Sequence, residues 1–211
     1  RRSPRTRGGA LARGGADDVE NIVRSVHDLD RSHLAVQGPP GTGKTYVGSH
    51  VVARLVAEQG FRVGVVAQSH AVVENMLDRI VEAGLPRAQV AKALKTGASA
   101  EPSFTPIAKD GYAAFAAEHP EGFVIGGTAW DLSHPGRVAR GSLDLLVIDE
   151  AGQFSLASTI AVSAAAQRLL LLGDPQQLPQ VSQGTHPEPV DTSALGWIMD
   201  GAAVIAEDRG Y

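Results

Sequence analysis

Apolar residues recur along the chain in two alternating rhythms. From Asp17 the spacing Val19, Ile22, Val23, Val26, Leu29 is that of one helix face, with Asp17 or Asp18 available to cap its start. A short apolar strand, His33 to Gln37, follows. A second helical stripe, Val47, Val51, Val52, Leu55 and Val56, then runs to Gly60, where glycine ends it. Arg62 to Ala67 is a β-branched run continuous enough for a strand buried on both faces. Behind it Val72, Met76, Leu77 and Ile80 share one face of a helix from Ala71 to Ala83. In the next stretch, 85–122, Pro86, Gly97, Pro102, Pro106, Gly111 and Pro120 break any long element. Only a short strand, Val90 to Leu94, and a helix near Ala108 to Glu118 are predicted there. Further strands are predicted at Phe123 to Ile125, Leu143 to Ile148 and Arg168 to Leu172, with a helix at Leu156 to Ala166. Apolar strands separated by helices predict an α/β fold with a mainly parallel sheet flanked by helices.

Composition narrows the setting. With 211 residues, 43% of them hydrophobic, the chain can bury one substantial core. Residues 1–15 hold five arginines and no apolar periodicity, so they read as a disordered basic tail or linker, a nucleic-acid-binding arm being the other reading. Residues 16–211 are then the folded domain. No cysteine is present, which excludes disulfides and thiolate metal sites and suits a reducing cytoplasm. No run of 18 apolar residues is available to cross a membrane, and acidic sequence follows the basic start where a signal peptide needs an apolar stretch. A cytoplasmic protein with no membrane partner is expected. The net charge is −4, so a nucleic-acid partner would have to be held by a local strip of backbone amides and hydroxyls.

The chemistry concentrates at strand ends. Gly38-Pro39-Pro40-Gly41-Thr42-Gly43-Lys44-Thr45 follows the first strand and precedes a helix, the context that makes G-x-x-x-x-G-K-[ST] a phosphate loop. Its backbone N–H groups and the helix dipole suit a phosphate chain, Lys44 suits the β- and γ-phosphates, and the Thr45 hydroxyl suits Mg²⁺. Asp149-Glu150 follows Leu145-Leu146-Val147-Ile148, so two carboxylates leave the end of a buried strand. One reading is a helix-capping pair before Ser155. The other has Asp149 holding Mg²⁺ and Glu150 orienting and deprotonating a water. Gly173-Asp174-Pro175-Gln176-Gln177-Leu178-Pro179 is, by itself, a polar turn after a strand.

Taken together, the phosphate loop (a Walker A motif), Asp149-Glu150-Ala151-Gly152-Gln153 and the Gly173 to Pro179 turn resemble the motifs of superfamily 1 helicases. The resemblance implies a RecA-like P-loop NTPase lobe using ATP and Mg²⁺, with Gln177 contacting the γ-phosphate and with Lys44 and Glu150 as catalytic residues beside it. Val66 to Asn75 is similar to motif Ia, and Gly127-Thr128-Ala129 to motif Ic, of the branch containing the nonsense-mediated-decay helicase and senataxin. Residues 34–199, including Ser182 to Glu188, most resemble the helicase half of bacterial proteins that join a RecB-like nuclease to such a helicase. By this likeness Ser69, His70 and Thr128 hold single-stranded DNA or RNA through its phosphates. Trp130 is either a base-stacking platform or a partly buried surface aromatic. Where the family has an adenine-reading Gln upstream of the phosphate loop, this chain has the shorter amide Asn21. Motifs of a second RecA-like lobe do not occur in the chain, so the expectation is a first motor lobe within a larger protein. Two alternatives stand beside it: a nucleotide-gated nucleic-acid-binding module, and another P-loop phosphotransferase.

Overall fold

A computed structural model describes residues 3–39, 41–94, 101–177, 186–187 and 189–211. Its strands are β1 (His33–Gln37), β2 (Arg62–Val66), β3 (Val90–Ala93), β4 (Thr105–Ile107), β5 (Phe123–Gly127), β6 (Leu145–Ile148) and β7 (Leu169–Gly173). They form one sheet in the order β1-β7-β6-β2-β5-β3-β4, every neighbouring pair parallel. The helices are α1 (Asp18–Asp28), α2 (Lys44–Gln59), α3 (His70–Glu82), α4 (Tyr112–Glu118), α5 (Ala129–Ser133), α6 (Leu156–Ser163) and α7 (Ala194–Met199). None of the described helices is long and apolar enough to cross a membrane.

The central strands β5, β6 and β7 are apolar because the sheet is covered on both faces there. Alternate residues of one strand enter different cores. Leu145 and Val147 join Leu34, Val63 and Val65 under α1, α2 and α3, whose Ile22, Val26, Val51, Leu55, Leu77 and Ile80 are fully buried. Leu146 and Ile148 join Ala35, Ile125 and Leu171 on the other face, packed on Tyr112, Phe115, Leu132, Val162 and Leu195 of α4 to α7. Gly126 of β5 lies beneath α3, where a Cβ would come within 2.7 Å of a Leu77 methyl and 2.8 Å of a Val73 methyl. The glycine lets helix and sheet approach, and β5 accordingly runs on to Gly127 rather than stopping at Ile125.

The other departures from the sequence reading have local causes. No strand was predicted around Pro106, yet it lies within the three-residue β4. That strand is at the sheet edge, where a missing N–H leaves no partner unsatisfied. The short helices α5 and α7 were not predicted; Thr128 and Ser193 cap them through side-chain oxygens that accept backbone N–H groups. Residues 3–15, expected as a disordered tail, instead lie along α1. Thr6 bridges Leu29, Arg7 N–H donates to Asp28 O at 2.9 Å, and Ala12 N–H to Ser25 Oγ at 2.8 Å. At the other end Tyr211 N–H donates to Ala35 O at 3.0 Å, so residues 210–211 extend the sheet beside β1.

Among the described residues one basic side chain is buried inside this frame. Lys92 of β3 is fully buried, its ammonium donating to Glu74 Oε1 of α3 at 2.8 Å and to Ala93 O at 3.2 Å. Breaking a buried pair from one side leaves an uncompensated charge, which costs about 3–5 kcal/mol. Glu74→Ala is therefore expected to destabilise the fold by about 3 kcal/mol. Lys92→Met should cost less, because the carboxylate left behind can still reach water. Urea unfolding of the two variants checks the ranking, and the reverse order would contradict it.

Candidate nucleotide-binding site

The phosphate loop is fixed at both ends. Where β1 ends, Gly38 N–H donates to Gly173 O of β7 at 3.2 Å; where α2 starts, Val47 N–H donates to Gly43 O at 2.8 Å. Gly41 and Gly43 have φ of 80° and 83°, values that favour glycine. The Lys44 ammonium donates to the carbonyl of Gly38 and, at 2.7 Å, to that of Pro39. Thr42 Oγ1 donates to the same Pro39 oxygen at 2.7 Å. The first turn of α2 contains no acidic residue, so its unpaired N–H groups and positive dipole end are not offset locally. Thr45 lies in that turn. Pro40 lies outside the described residues.

Two strands away, β6 delivers the acidic pair. Asp149 is 4% exposed, and its Oδ1 accepts the Glu150 N–H at 2.9 Å. Burial, with the nearby Glu150 charge adding to it, pushes the Asp149 carboxyl up to about 6, against the opposing pull of that N–H and of Lys44. Glu150 has φ 54°, a left-handed conformation that costs a non-glycine residue energy and is found where a side chain must be aimed. The neighbouring Gly152 lets this turn touch the next one, since a Cβ there would collide with the Asp174 carbonyl. Beyond it Gln153 Nε2 donates to Gln177 Oε1 at 3.0 Å, and Gln68 Nε2 donates to the Gln153 carbonyl at 3.3 Å.

Lys44, Thr45, Asp149, Glu150, Asp174 and Gln177 open onto one cavity of about 440 Å³, which Asn75 of α3 also lines. The acidic pair thus faces the phosphate loop rather than capping a helix; Ser155 itself caps α6 by accepting the Ser158 N–H. Asp174 and Asn75 were not singled out from the sequence. Nor were Gln68 and Gln153, although both stood within the quoted motifs. Asn21 is not brought to the cavity: on α1, its Oδ1 accepts the Gly15 N–H at 2.8 Å. A second cleft of about 450 Å³ lies along the other side of Gly38 and Pro39, lined by Arg13, Gln37 and Tyr211 among others. Leu178, Pro179 and most of Ser182 to Glu188 fall outside the described residues.

The residues expected to meet nucleic acid stand on neighbouring strand ends. β2 and β5 pair with Val66 opposite Gly127, so Ser69 and Thr128 begin adjacent helices at one edge. Ser69 Oγ accepts the Val72 N–H at 3.3 Å. Thr128 is committed to a capping box: its hydroxyl donates to Asp131 Oδ2 at 2.7 Å and accepts the Asp131 N–H at 3.3 Å. His70 lies near enough to help hold the Asp131 carboxyl below its ordinary value, after burial, which opposes, and the Thr128 hydrogen bonds and Arg137, which act with it. Trp130 is 77% exposed, so the partly buried reading of this ring is corrected to an open one.

Phosphate loop, buried acid and a glutamine on the same cavity, at the carboxyl edge of a parallel sheet, define a P-loop NTPase domain. A family model described as "AAA domain" matches residues 17–193, and the chain belongs to that family. It is 26% identical over 179 residues to the Mus musculus "DNA replication ATP-dependent helicase/nuclease DNA2", covering 77% of this chain and 17% of that protein. The fold is similar to that of a nuclease-deletion mutant of the Type ISP restriction-modification enzyme LlaGI in complex with a DNA substrate mimic. There the TM-score is 0.55 and the identity 14%, over 83% of this chain and 18% of that one. The UvsW helicase of bacteriophage T4 gives 0.52 and 13%, over 78% and 56%. These likenesses bear out the expected RecA-like α/β fold.

The raised Asp149 value makes a stability prediction. The folded state holds the Asp149 proton up to about pH 6, whereas an unfolded aspartate loses it near 3.9, so stability falls as pH rises between the two values. By the conversion of about 1.4 kcal/mol per pKa unit, ionisation costs the fold about 3 kcal/mol. Asp149→Asn keeps the acceptor for the Glu150 N–H and should stabilise the ligand-free protein by up to that amount at pH 7.5, and not at all below about pH 4. Thermal melts across this range measure it; a gain independent of pH would refute the assigned cause.

Proposed function

We propose that residues 16–211 are the first RecA-like motor lobe of an ATP-dependent superfamily 1 helicase or translocase, coupling ATP hydrolysis to movement on single-stranded nucleic acid. The observation that carries the reading is the shared cavity of Lys44, Thr45, Asp149, Glu150 and Gln177, with the capped helix starts at Ser69 and Thr128 following the next two strands of the sheet, β2 and β5. The finer assignment is to the branch of the nonsense-mediated-decay helicase and senataxin, near bacterial nuclease–helicase fusions. It rests on the motif Ia and Ic likeness and on the DNA2 relative. A second lobe and a nuclease domain belong to that proposal, since the chain spans 17% of the relative's length.

The donor set fits Mg²⁺: a hydroxyl and a carboxylate, with the carboxylate buried and short of positive charge. Thr45 and Asp149 would hold the ion, which supplies charge neutralisation at the transferring phosphoryl group. Lys44 exchanges the Gly38 and Pro39 carbonyls for β- and γ-phosphate oxygens. Glu150, aimed by its left-handed backbone, orients the water and takes its proton. Gln177 meets the γ-phosphate, oriented by the Gln153 amide. The cleft beside Gln37 and Arg13 suits the nucleoside end of ATP. On the nucleic-acid side the Ser69 and Thr128 helix starts offer amides to phosphates, and Trp130 a stacking face.

One observation favours the binding-module reading for these 211 residues taken alone. Among the described residues no arginine lines the cavity, and an arginine that neutralises phosphoryl charge is worth about 10³ to 10⁵ in rate. Residues 1–211 are expected to bind Mg²⁺–ATP, and Lys44→Ala to weaken that binding strongly by calorimetry. Phosphate release should be slow, and about a thousandfold faster when an arginine-bearing second lobe is joined. In that longer protein Glu150→Gln should retain ATP binding and lose turnover. Brisk release by the short chain would overturn the two-lobe argument; transfer of phosphate to a small molecule would favour another phosphotransferase. Anisotropy with a labelled single strand should give salt-weakened binding. Trp130→Ala should lower it by about tenfold, within the 1–3 kcal/mol of a base–aromatic stack, and Trp130→Phe should recover part of the loss.

A further inference from the structure

At the opposite end of β1 and β7 from the phosphate loop lies a cavity of about 610 Å³, lined by Arg31, Ser32, His33, Arg140, Ser163 and Gln167 among others. We infer that it is a second anion site, in which Arg31 and Arg140 hold phosphate groups.

The arginines are set on two fixed turns. Arg31 joins α1 to β1 with φ 44°, strained for an arginine, between Asp30, whose N–H donates to Arg5 O at 2.9 Å, and Ser32, whose carbonyl accepts the Leu169 N–H at 3.0 Å. Arg140 precedes Gly141, which has φ 65° and whose N–H donates to Ala164 O at 2.9 Å, while Ser142 N–H returns to Ala139 O at 3.2 Å. Backbone bonds thus hold both turns, and both arginines border the one cavity. Neither guanidinium enters a hydrogen bond or ion pair among the described residues. Nearby arginines do: Arg5 pairs with Asp30 at 3.0 Å and Arg62 with Asp144 at 2.9 Å. No carboxylate lines the cavity. Two like charges facing one cavity repel, and an anion between them reverses the sign of that interaction.

The guanidinium fork matches the oxygens of a phosphate, and the Gln167 amide and the Ser32 hydroxyl, which accepts the Arg5 N–H at 2.8 Å and keeps its own proton, can donate further contacts. The volume is that of a small-molecule pocket. β1, five residues long, separates the two sites by roughly 16 Å at about 3.3 Å per residue. The site is therefore distinct from the nucleotide cavity. A free phosphate compound and a nucleic-acid strand present the same chemistry, and the experiment separates them.

The Lys44→Ala protein, with its phosphate loop disabled, is titrated with pyrophosphate by calorimetry and with a short fluorescein-labelled oligothymidylate by anisotropy. The same titrations follow with Arg31→Asn and Arg140→Gln added, asparagine being chosen because it tolerates positive φ. Loss of each charge-assisted contact is expected to weaken binding about tenfold. Weakening of pyrophosphate assigns the site to small phosphate compounds; weakening of the oligonucleotide alone assigns it to a strand. If neither probe binds the Lys44→Ala protein, or neither loses affinity when the arginines go, the inference fails. With Lys44 restored, Arg31→Asn/Arg140→Gln should bind ATP as the unsubstituted chain does. Loss of ATP binding in that variant would refute the separateness of the two sites.

Discussion

Parallel pairing is the constraint from which the rest follows. Once β1, β7, β6, β2 and β5 run the same way, all their carboxyl ends meet at one edge, and every loop leaving them is a neighbour of the next. A phosphate loop after β1, an acidic pair after β6 and a glutamine turn after β7 are remote in sequence, yet strand spacings of about 4.8 Å bring them within a single cavity. The two helix starts after β2 and β5 continue the same row. The central strands are not amphipathic, because both faces of the sheet are packed there.

The edge is built under tension. Asp149 is buried without a full countercharge, and Glu150 adopts a backbone conformation that an unconstrained chain would leave. Packing of β6 on both sides holds them there, as the core pays for what the site needs. The contrast with Lys92 is instructive. That buried charge has its carboxylate at 2.8 Å and is resolved within the fold, whereas the carboxylate of Asp149 is left to be satisfied from outside.

The order of strands and helices was legible because apolar runs and breakers are local signals. The phosphate loop, Asp149-Glu150 and Gln177 were legible because their chemistry is carried by contiguous residues. What was hidden depends on neighbours far away in sequence. Pro106 reads as a breaker until the sheet order makes β4 an edge strand. The arginine-rich start reads as a tail until Ser25, Asp28 and Leu29 of the first helix region receive it. Asn21 sits at a plausible spacing, but its amide oxygen is spent on Gly15. Asp174 and Asn75 become site residues only through the one cavity that the end of β7 and the start of α3 both line.

The row of glutamines has a consequence of its own. Gln68 leads out of β2 toward the helix start at Ser69, Gln177 faces the nucleotide cavity, and Gln153 bridges them through hydrogen bonds of 3.3 and 3.0 Å. All three amides are neutral at every physiological pH. A displacement of Gln177 can therefore reach the Ser69 helix start as a change of position and not of charge, and dissolved ions do not screen that link.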